Sequence, residues 1–307
     1  MNEPIKYISK VEIKNLWGRY DFEWNLDPEV NILSGINGSG KSTVLDCIIN
    51  LVHITKPDSS ILIEKYLDKT SLFFNNGFNI SVSRKENGQF DLCYEGYEQD
   101  FLLKEQRSKN ISFDIVRTFD IVLNQNASPD INVKTELDKE LFMLQKKYLD
   151  YQLSIGKKAF EIVSKNSSDA NNEVLAIKKN QERLLEIIDS LFLYTDKKVD
   201  RNSNELTFLS GFEFLTPYQL SSGEKQILII LLKVLVQDNK PSILFMDEPE
   251  VSLHIDWQRK LIQYIRELNP NVQIILATHS PGIIMDGWMD KVFEMSDLIT
   301  LDRKAKS

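Results

Sequence analysis

A chain of 307 residues has room for one large or two modest domains, and 42% hydrophobic with 27% charged residues is the balance of a globular protein able to bury a full core. A net charge of −8 and an isoelectric point near 5.1 argue against a surface that grips nucleic acid by charge alone, leaving only a local basic patch open. The longest apolar run, Ile227–Val236, is broken by Lys233 and falls far short of the ~20 residues that cross a bilayer, so no membrane span is expected. Cys47 and Cys93 lie in apolar-patterned segments without metal-ligand spacing and read as buried free thiols. With no charged and apolar leader after Met1, the expected location is the cytoplasm.

In chain order, Ile5–Ile13 and Asp21–Leu26 alternate apolar and polar residues, predicting a small antiparallel sheet that leads into a buried strand over Glu29–Ser34. Trp17 and Tyr20, in the turn between the first two strands, read either as sheet packing or as an aromatic for an adenine ring. Gly35–Thr43 reads G-I-N-G-S-G-K-S-T and opens an amphipathic helix, which is the P-loop arrangement. Its glycines let the backbone approach a phosphate, and its amides converge at a helix N-terminus that favours an anion. The expected phosphate-binding set is Asn37, Gly38, Ser39, Gly40, Lys41, Ser42 and Thr43. Lys41 carries the charge for the β- and γ-phosphates and the Ser42 hydroxyl is the expected Mg²⁺ ligand, so a nucleoside triphosphate, most simply ATP, is the expected ligand.

Leu51–Asp68 has a helical pattern around a break at Pro57–Ser60. Phe73–Arg84, Gln89–Tyr94 and Ile111–Leu123 read as strands, with hairpin-type turns at Asn76-Gly77 and Asn87-Gly88. Leu137, Leu141, Leu144, Tyr148, Tyr151 and Ile155 then recur at steps of three and four, as do Val174, Ile177, Gln181, Leu184, Ile188 and Leu191 after a polar break. This predicts an antiparallel helical hairpin, either lying on the domain surface or protruding as a docking arm.

Leu220-Ser221-Ser222-Gly223-Glu224-Lys225-Gln226 opens a strongly apolar helix, with Ser221 near its start and Gly223 unencumbered, a second N-terminus suited to an anion. The apolar strand Ser242–Met246 delivers Asp247 and Glu248 at its C-terminal end, where ligands bind in open parallel sheets. Asp247 is placed for the Mg²⁺ shell and Glu248 to polarise a water for attack on the γ-phosphate. Ile255–Leu268 is a helix, and Val272–Ala277 a strand ending in Thr278-His279-Ser280, which sets His279 at another strand C-terminus within reach of a γ-phosphate. Val292–Ile299 is expected to be a last strand.

Together these segments resemble the ABC-type ATPase family. Gly35–Ser42 matches its Walker A motif, Leu220–Glu224 its signature, Ile243–Glu248 its Walker B motif and Thr278-His279-Ser280 its histidine switch. The resemblance implies an α/β P-loop NTPase of ABC-ATPase type, with N-terminal antiparallel strands, a mostly parallel core sheet and an inserted helical hairpin. It implies residues 1–134 as an N-terminal lobe, 135–200 as the hairpin and 201–307 as a C-terminal lobe. It also implies a nucleotide-sandwich homodimer, or a higher even oligomer, in which Ser221 and Gly223 complete the site opposite Lys41. Gln125 is the best-placed residue for the family's Mg²⁺- and water-sensing glutamine, a plain loop glutamine being the alternative. The Ser-Ser-Gly-Glu-Lys signature, and His254 where a transporter-type loop carries Asp, are closer to the SMC, RecF and OLD-type branch and its small bacterial AAA-type defence ATPases. OLD-type relatives carry a nuclease in the same chain; the 28 residues after His279 are too few for one, so a nuclease or toxin partner would be a separate polypeptide. The expected function is ATP hydrolysis that regulates such a partner in anti-phage defence or DNA repair. A transporter nucleotide-binding subunit and a non-hydrolytic ATP-dependent scaffold stand as alternatives.

Overall fold

The computed structural model describes residues 4–53, 67–85, 87, 90–96, 112–116, 121–122, 132–165 and 169–301. It forms two compact units: Met1–Arg117 with Pro241–Pro249 and Asn271–Ser307, and Thr118–Lys240 with Glu250–Pro270. The first unit begins with β1 (Ile8–Leu16) and β2 (Tyr20–Asn25), paired antiparallel. The alternation is realised: Ile8, Val11, Ile13 and Leu16 are buried, as are Phe22 and Trp24 on the neighbouring strand. Every residue of β3 (Val30–Ser34) is buried, and the glycine loop carries the chain from it into α1 (Lys41–His53). β4 (Lys69–Phe74), β5 (Asn79–Arg84) and β6 (Phe90–Glu95) extend the antiparallel sheet. The hairpin turn expected at Asn76-Gly77 lies between β4 and β5, where Gly77, at φ 83, turns the chain back between Phe74 and Asn79. Cys93 lies exposed on β6 rather than buried, and Cys47 is buried in α1. Of the strand expected over Ile111–Leu123, the described part is β7 (Phe113–Val116), with Val122 making only an isolated bridge to Thr135.

The second unit contains the helical hairpin, α2 (Glu136–Ser164) and α3 (Ala170–Leu191), about 43 and 33 Å long at 1.5 Å per residue. Thr135 and Asp138 form a reciprocal capping box at the start of α2, which fixes where the helix begins. The six α2 positions picked out by periodicity, Leu137 to Ile155, are all buried, whereas Leu153, Phe160 and Leu175 are exposed. After α3 come three short strands, β8 (Lys198–Val199), β9 (Phe208–Ser210) and β10 (Glu213–Leu215), in the order β10-β9-β8. α4 (Ser222–Leu235) is buried from Gly223 onwards, and α5 (Ile255–Leu268) buries one stripe. α2, α3 and α5 all pack on α4.

The first unit is completed by β11 (Ser242–Asp247), β12 (Val272–Ala277), the single-turn α6 (Pro281–Ile284), β13 (Val292–Glu294), α7 (Met295–Leu298) and β14 (Ile299–Leu301). The last expected strand is thus two strands and a helical turn. β13 pairs parallel with β3, α7 buries Met295, and β14 pairs antiparallel with β2, so the chain changes sheets there. The sheets run β14-β2-β1-β4-β5-β6, antiparallel, and β13-β3-β12-β11-β7, parallel. α1 packs against both, and one core joins Ile48 and Leu45 of the helix to Trp24, Leu72, Phe245 and Ile275. Among the described residues no helix is long and apolar enough to cross a membrane.

Candidate nucleotide site

Strand register builds the first half of the site. β3, β12 and β11 run parallel with Leu33 opposite Ala277 and Ala277 opposite Asp247, so their C-terminal ends lie in one row. The residues just beyond that row are Gly35–Ser42, Thr278-His279 and Glu248. The Thr278 amide donates to the Leu33 carbonyl (3.1 Å) and the Glu248 amide to the Ala277 carbonyl (2.8 Å), which pins both exits. Glu248 holds φ 46, a left-handed conformation that an ordinary side chain rarely adopts.

Asn37, Gly38, Gly40, Lys41, Ser42, Thr43 and Glu248, with Trp17, line a cleft of about 460 Å³. Gly38 and Gly40 have φ of 81 and 98, so side chains there would be strained, and a Cβ on Gly40 would run into the Trp17 indole. Trp17 is itself held at φ 56 in the β1–β2 turn and meets Tyr20 edge-on. The expected aromatic is thus at the cleft wall, packed on the glycine loop.

Lys41 is buried, with Nζ donating to the carbonyls of Gly35 (2.9 Å) and Ile36 (3.4 Å) and standing 3.6 Å from Glu248 Oε1. His279 Nδ1 stands 2.7 Å from the other Glu248 oxygen. Ser42 Oγ donates to Asp247 Oδ1 (3.0 Å). Burial pushes the Asp247 carboxyl up, the Ser42 hydrogen bond opposes that, and the charges of Glu248 and Asp46 add to the rise. A hydroxyl hydrogen-bonded to a carboxylate that two further carboxylates crowd is an oxygen donor set that fits a hard divalent cation such as Mg²⁺. The glycine cradle fits a phosphate chain. Gln125 lies outside the described residues.

The second unit presents the other expected group. Ser221 caps α4, and Glu224 closes a capping box with it. Glu224 is 1% exposed, and its two oxygens take four donors: the Ser221 amide (2.9 Å) and hydroxyl (2.9 Å) on Oε2, Thr195 Oγ1 (2.9 Å) and Lys197 Nζ (2.8 Å) on Oε1. Gly223 is buried, and a Cβ there would collide with the Ser252 carbonyl, so its glycine is required by close packing. Ser221, Gly223, Tyr194, His254, Asp256 and Trp257 help line a cavity of about 770 Å³. His254 caps α5 by accepting from the Asp256 amide (3.4 Å), so in this chain it has a local structural task. Thr195 and Lys197 carry no periodicity or motif in the sequence. Their link to Glu224 is visible only in three dimensions.

Known proteins resemble this chain in sequence and in fold. It is 25% identical over 189 residues to the Retron Vc95 probable ATPase of Vibrio cholerae serotype O1 biovar El Tor, a match covering 57% of this chain and 36% of that protein. The chain therefore spans little more than a third of that relative's length. It is 24% identical over 323 residues to the Septu protein PtuA of Bacillus thuringiensis, covering 90% of this chain and 72% of that one. In fold it is similar to the crystal structure of the SmcHead bound to the C-winged helix domain of ScpA, with a TM-score of 0.60 at 14% identity over 97% of this chain and 99% of that one. The likeness is one of fold, and it takes in both sheets and the helix after the glycine loop. A family model matches residues 30–286, from β3 to beyond His279, and on that match the chain belongs to the AAA domain family described as putative AbiEii toxin, Type IV TA system.

Proposed function

We propose that this chain binds and hydrolyses ATP with Mg²⁺, closes on ATP into a head-to-tail dimer, and in doing so regulates a separate nuclease or toxin subunit in anti-phage defence or DNA repair. The observation that carries the chemistry is the meeting of Lys41, Ser42, Asp247, Glu248 and His279 at the ends of three adjacent parallel strands. Lys41 and the loop amides hold the phosphates, and Ser42 and Asp247 are the groups that would hold Mg²⁺. The ion, when bound, offsets charge on the β- and γ-phosphates. Glu248 would accept the proton of the attacking water, and His279, whose Nδ1 lies 2.7 Å from the second Glu248 oxygen, would orient that carboxylate. Lys41 Nζ stands 3.6 Å from Glu248 Oε1, so the phosphate-binding cation and the base share one cleft. Trp17, on the cleft wall, is the aromatic for the adenine ring. Ser221 would complete the site of a second copy. The toxin description of the family and the Septu and retron relatives support the partner and the setting.

The test is ATP binding and phosphate release by Glu248→Gln and Lys41→Ala beside the wild type. Loss of a general base should cut turnover by about 10²–10⁴-fold while Glu248→Gln still binds ATP, and Lys41→Ala should lose binding itself. Wild-type turnover in Glu248→Gln would refute the catalytic assignment.

A further inference from the structure

The buried carboxylate of Glu224 lies immediately behind Ser221, the exposed residue at the head of α4. The Ser221 hydroxyl has one proton, and that proton is donated to Glu224 Oε2 at 2.9 Å. An anionic phosphate approaching Ser221 needs the same proton and meets a carboxylate behind it. Two features reduce that conflict. The Ser221 amide also donates to Oε2 (2.9 Å), so the serine backbone stays in place if its hydroxyl turns outward. On the other oxygen, Lys197 Nζ (2.8 Å) supplies a full positive charge, and the Thr195 hydroxyl stands at 2.9 Å with its one proton shared with the Phe192 carbonyl (3.1 Å). Both come from the segment between α3 and β8, outside every sequence motif, and Lys197 is largely buried at 18% side-chain exposure.

We infer that Lys197 is a positioning residue for nucleotide capture: by compensating the Glu224 carboxylate it frees the Ser221 hydroxyl to donate to a triphosphate held by a second copy of the chain. The inference rests on the sandwich dimer proposed above. Lys197 touches no substrate and acts through Glu224. A lysine that merely braced the fold would tolerate any replacement that kept the fold. One that balances charge is needed only while position 224 is a carboxylate.

The experiment measures Mg²⁺–AMPPNP-driven dimerisation by sedimentation velocity, and nucleotide binding by the monomer with a fluorescent ATP analogue, on the full chain. Lys197→Met should raise the nucleotide concentration for half-dimerisation by at least about tenfold, the scale of one uncompensated charge in a buried pair. Monomer binding should not change. Lys197→Arg should restore dimerisation, and Glu224→Gln added to Lys197→Met should suppress the defect, since a neutral amide at 224 leaves no charge to compensate. Should Lys197→Met not fold, Lys197→Gln, which keeps a donor without charge, carries the same comparison. Unchanged dimerisation in Lys197→Met, with Ser221→Arg blocking it, overturns the role of Lys197 and leaves the sandwich standing. So does a defect that Glu224→Gln fails to suppress. Undisturbed dimerisation in Ser221→Arg removes the sandwich reading, and this inference with it.

Discussion

Glu224 and Glu248 each lie beside a lysine ammonium, with opposite consequences. Glu248 stands between Lys41 and His279 at the edge of a cleft, on a backbone at φ 46 that costs a non-glycine residue of order 1 kcal/mol or more. Strain of that kind is retained where the neighbouring structure fixes it, here the hydrogen bond from the Glu248 amide to the Ala277 carbonyl. Glu224 instead lies in the interior. Burial pushes its carboxyl up, and the Lys197 ammonium, the Ser221 amide and the Thr195 and Ser221 hydroxyls more than reverse this, leaving it below the usual carboxylate range. A lowered carboxylate adds stability above its unfolded pKa and loses it as the pH falls through the folded one. Glu224→Gln should therefore melt at a lower temperature than wild type at pH 7. The gap should close as the pH falls below about 4, which a series of thermal melts would show. A gap that widened in acid would contradict the ion pairing. Lys41, Ser42, Asp247, Glu248 and His279 stand out in the sequence because each sits at a fixed offset from a glycine loop or a buried strand. Lys197 has no such offset, and its partner is 27 residues away, so no local pattern marks it.

Elements were legible where one pattern, a helical period or an unbroken apolar run, filled most of their length. α2, α4, α5, β11 and β12 each show this, and their boundaries agree with the expected ones to within a few residues. The segment Val292–Ile299 was not, because its alternation is shared by two strands in different sheets with one helical turn between them. Only packing around Met295 separates those alternatives. Contacts between the sheets are equally silent in sequence. Gln273, fully buried on β12, accepts from the Ile8 amide (2.8 Å) and donates to the carbonyls of Ile8 (2.8 Å) and Asp27 (2.9 Å), tying the parallel sheet to the antiparallel one. Inside an otherwise apolar strand a glutamine looks like an interruption, yet here it satisfies backbone groups that water cannot reach. Gln273→Ala would leave the Ile8 amide unpaired and should destabilise the protein by about 1–3 kcal/mol, measured by urea unfolding. A Gln273→Ala protein as stable as wild type would show that the two sheets do not need that tie.

For the whole molecule, the dimer reading makes a prediction that no single-chain reading shares. In a two-fold sandwich the glycine loop of each copy faces the signature serine of its mate, so each composite site draws on both chains. Ser221 is exposed beside a cavity of about 770 Å³, and an arginine there has space to fold and would obstruct an incoming nucleotide. Ser221→Arg alone should bind ATP without dimerising or turning it over, and Lys41→Ala alone should neither bind nor dimerise. Mixed in equal amounts, the two defects complement. A mixed dimer pairs the intact glycine loop of Ser221→Arg with the intact signature of Lys41→Ala at one site and places both defects at the other. Because neither variant pairs with itself, every dimer in the mixture would be a mixed one with one sound site of its two, so up to about half of wild-type sites should return. Recovered phosphate release and a dimer peak in the mixture, absent from either protein alone, would establish sites shared between chains. A mixture as inactive as its components, from proteins shown to be folded, would mean that each chain builds its site alone, and the serine would then be only the cap of α4.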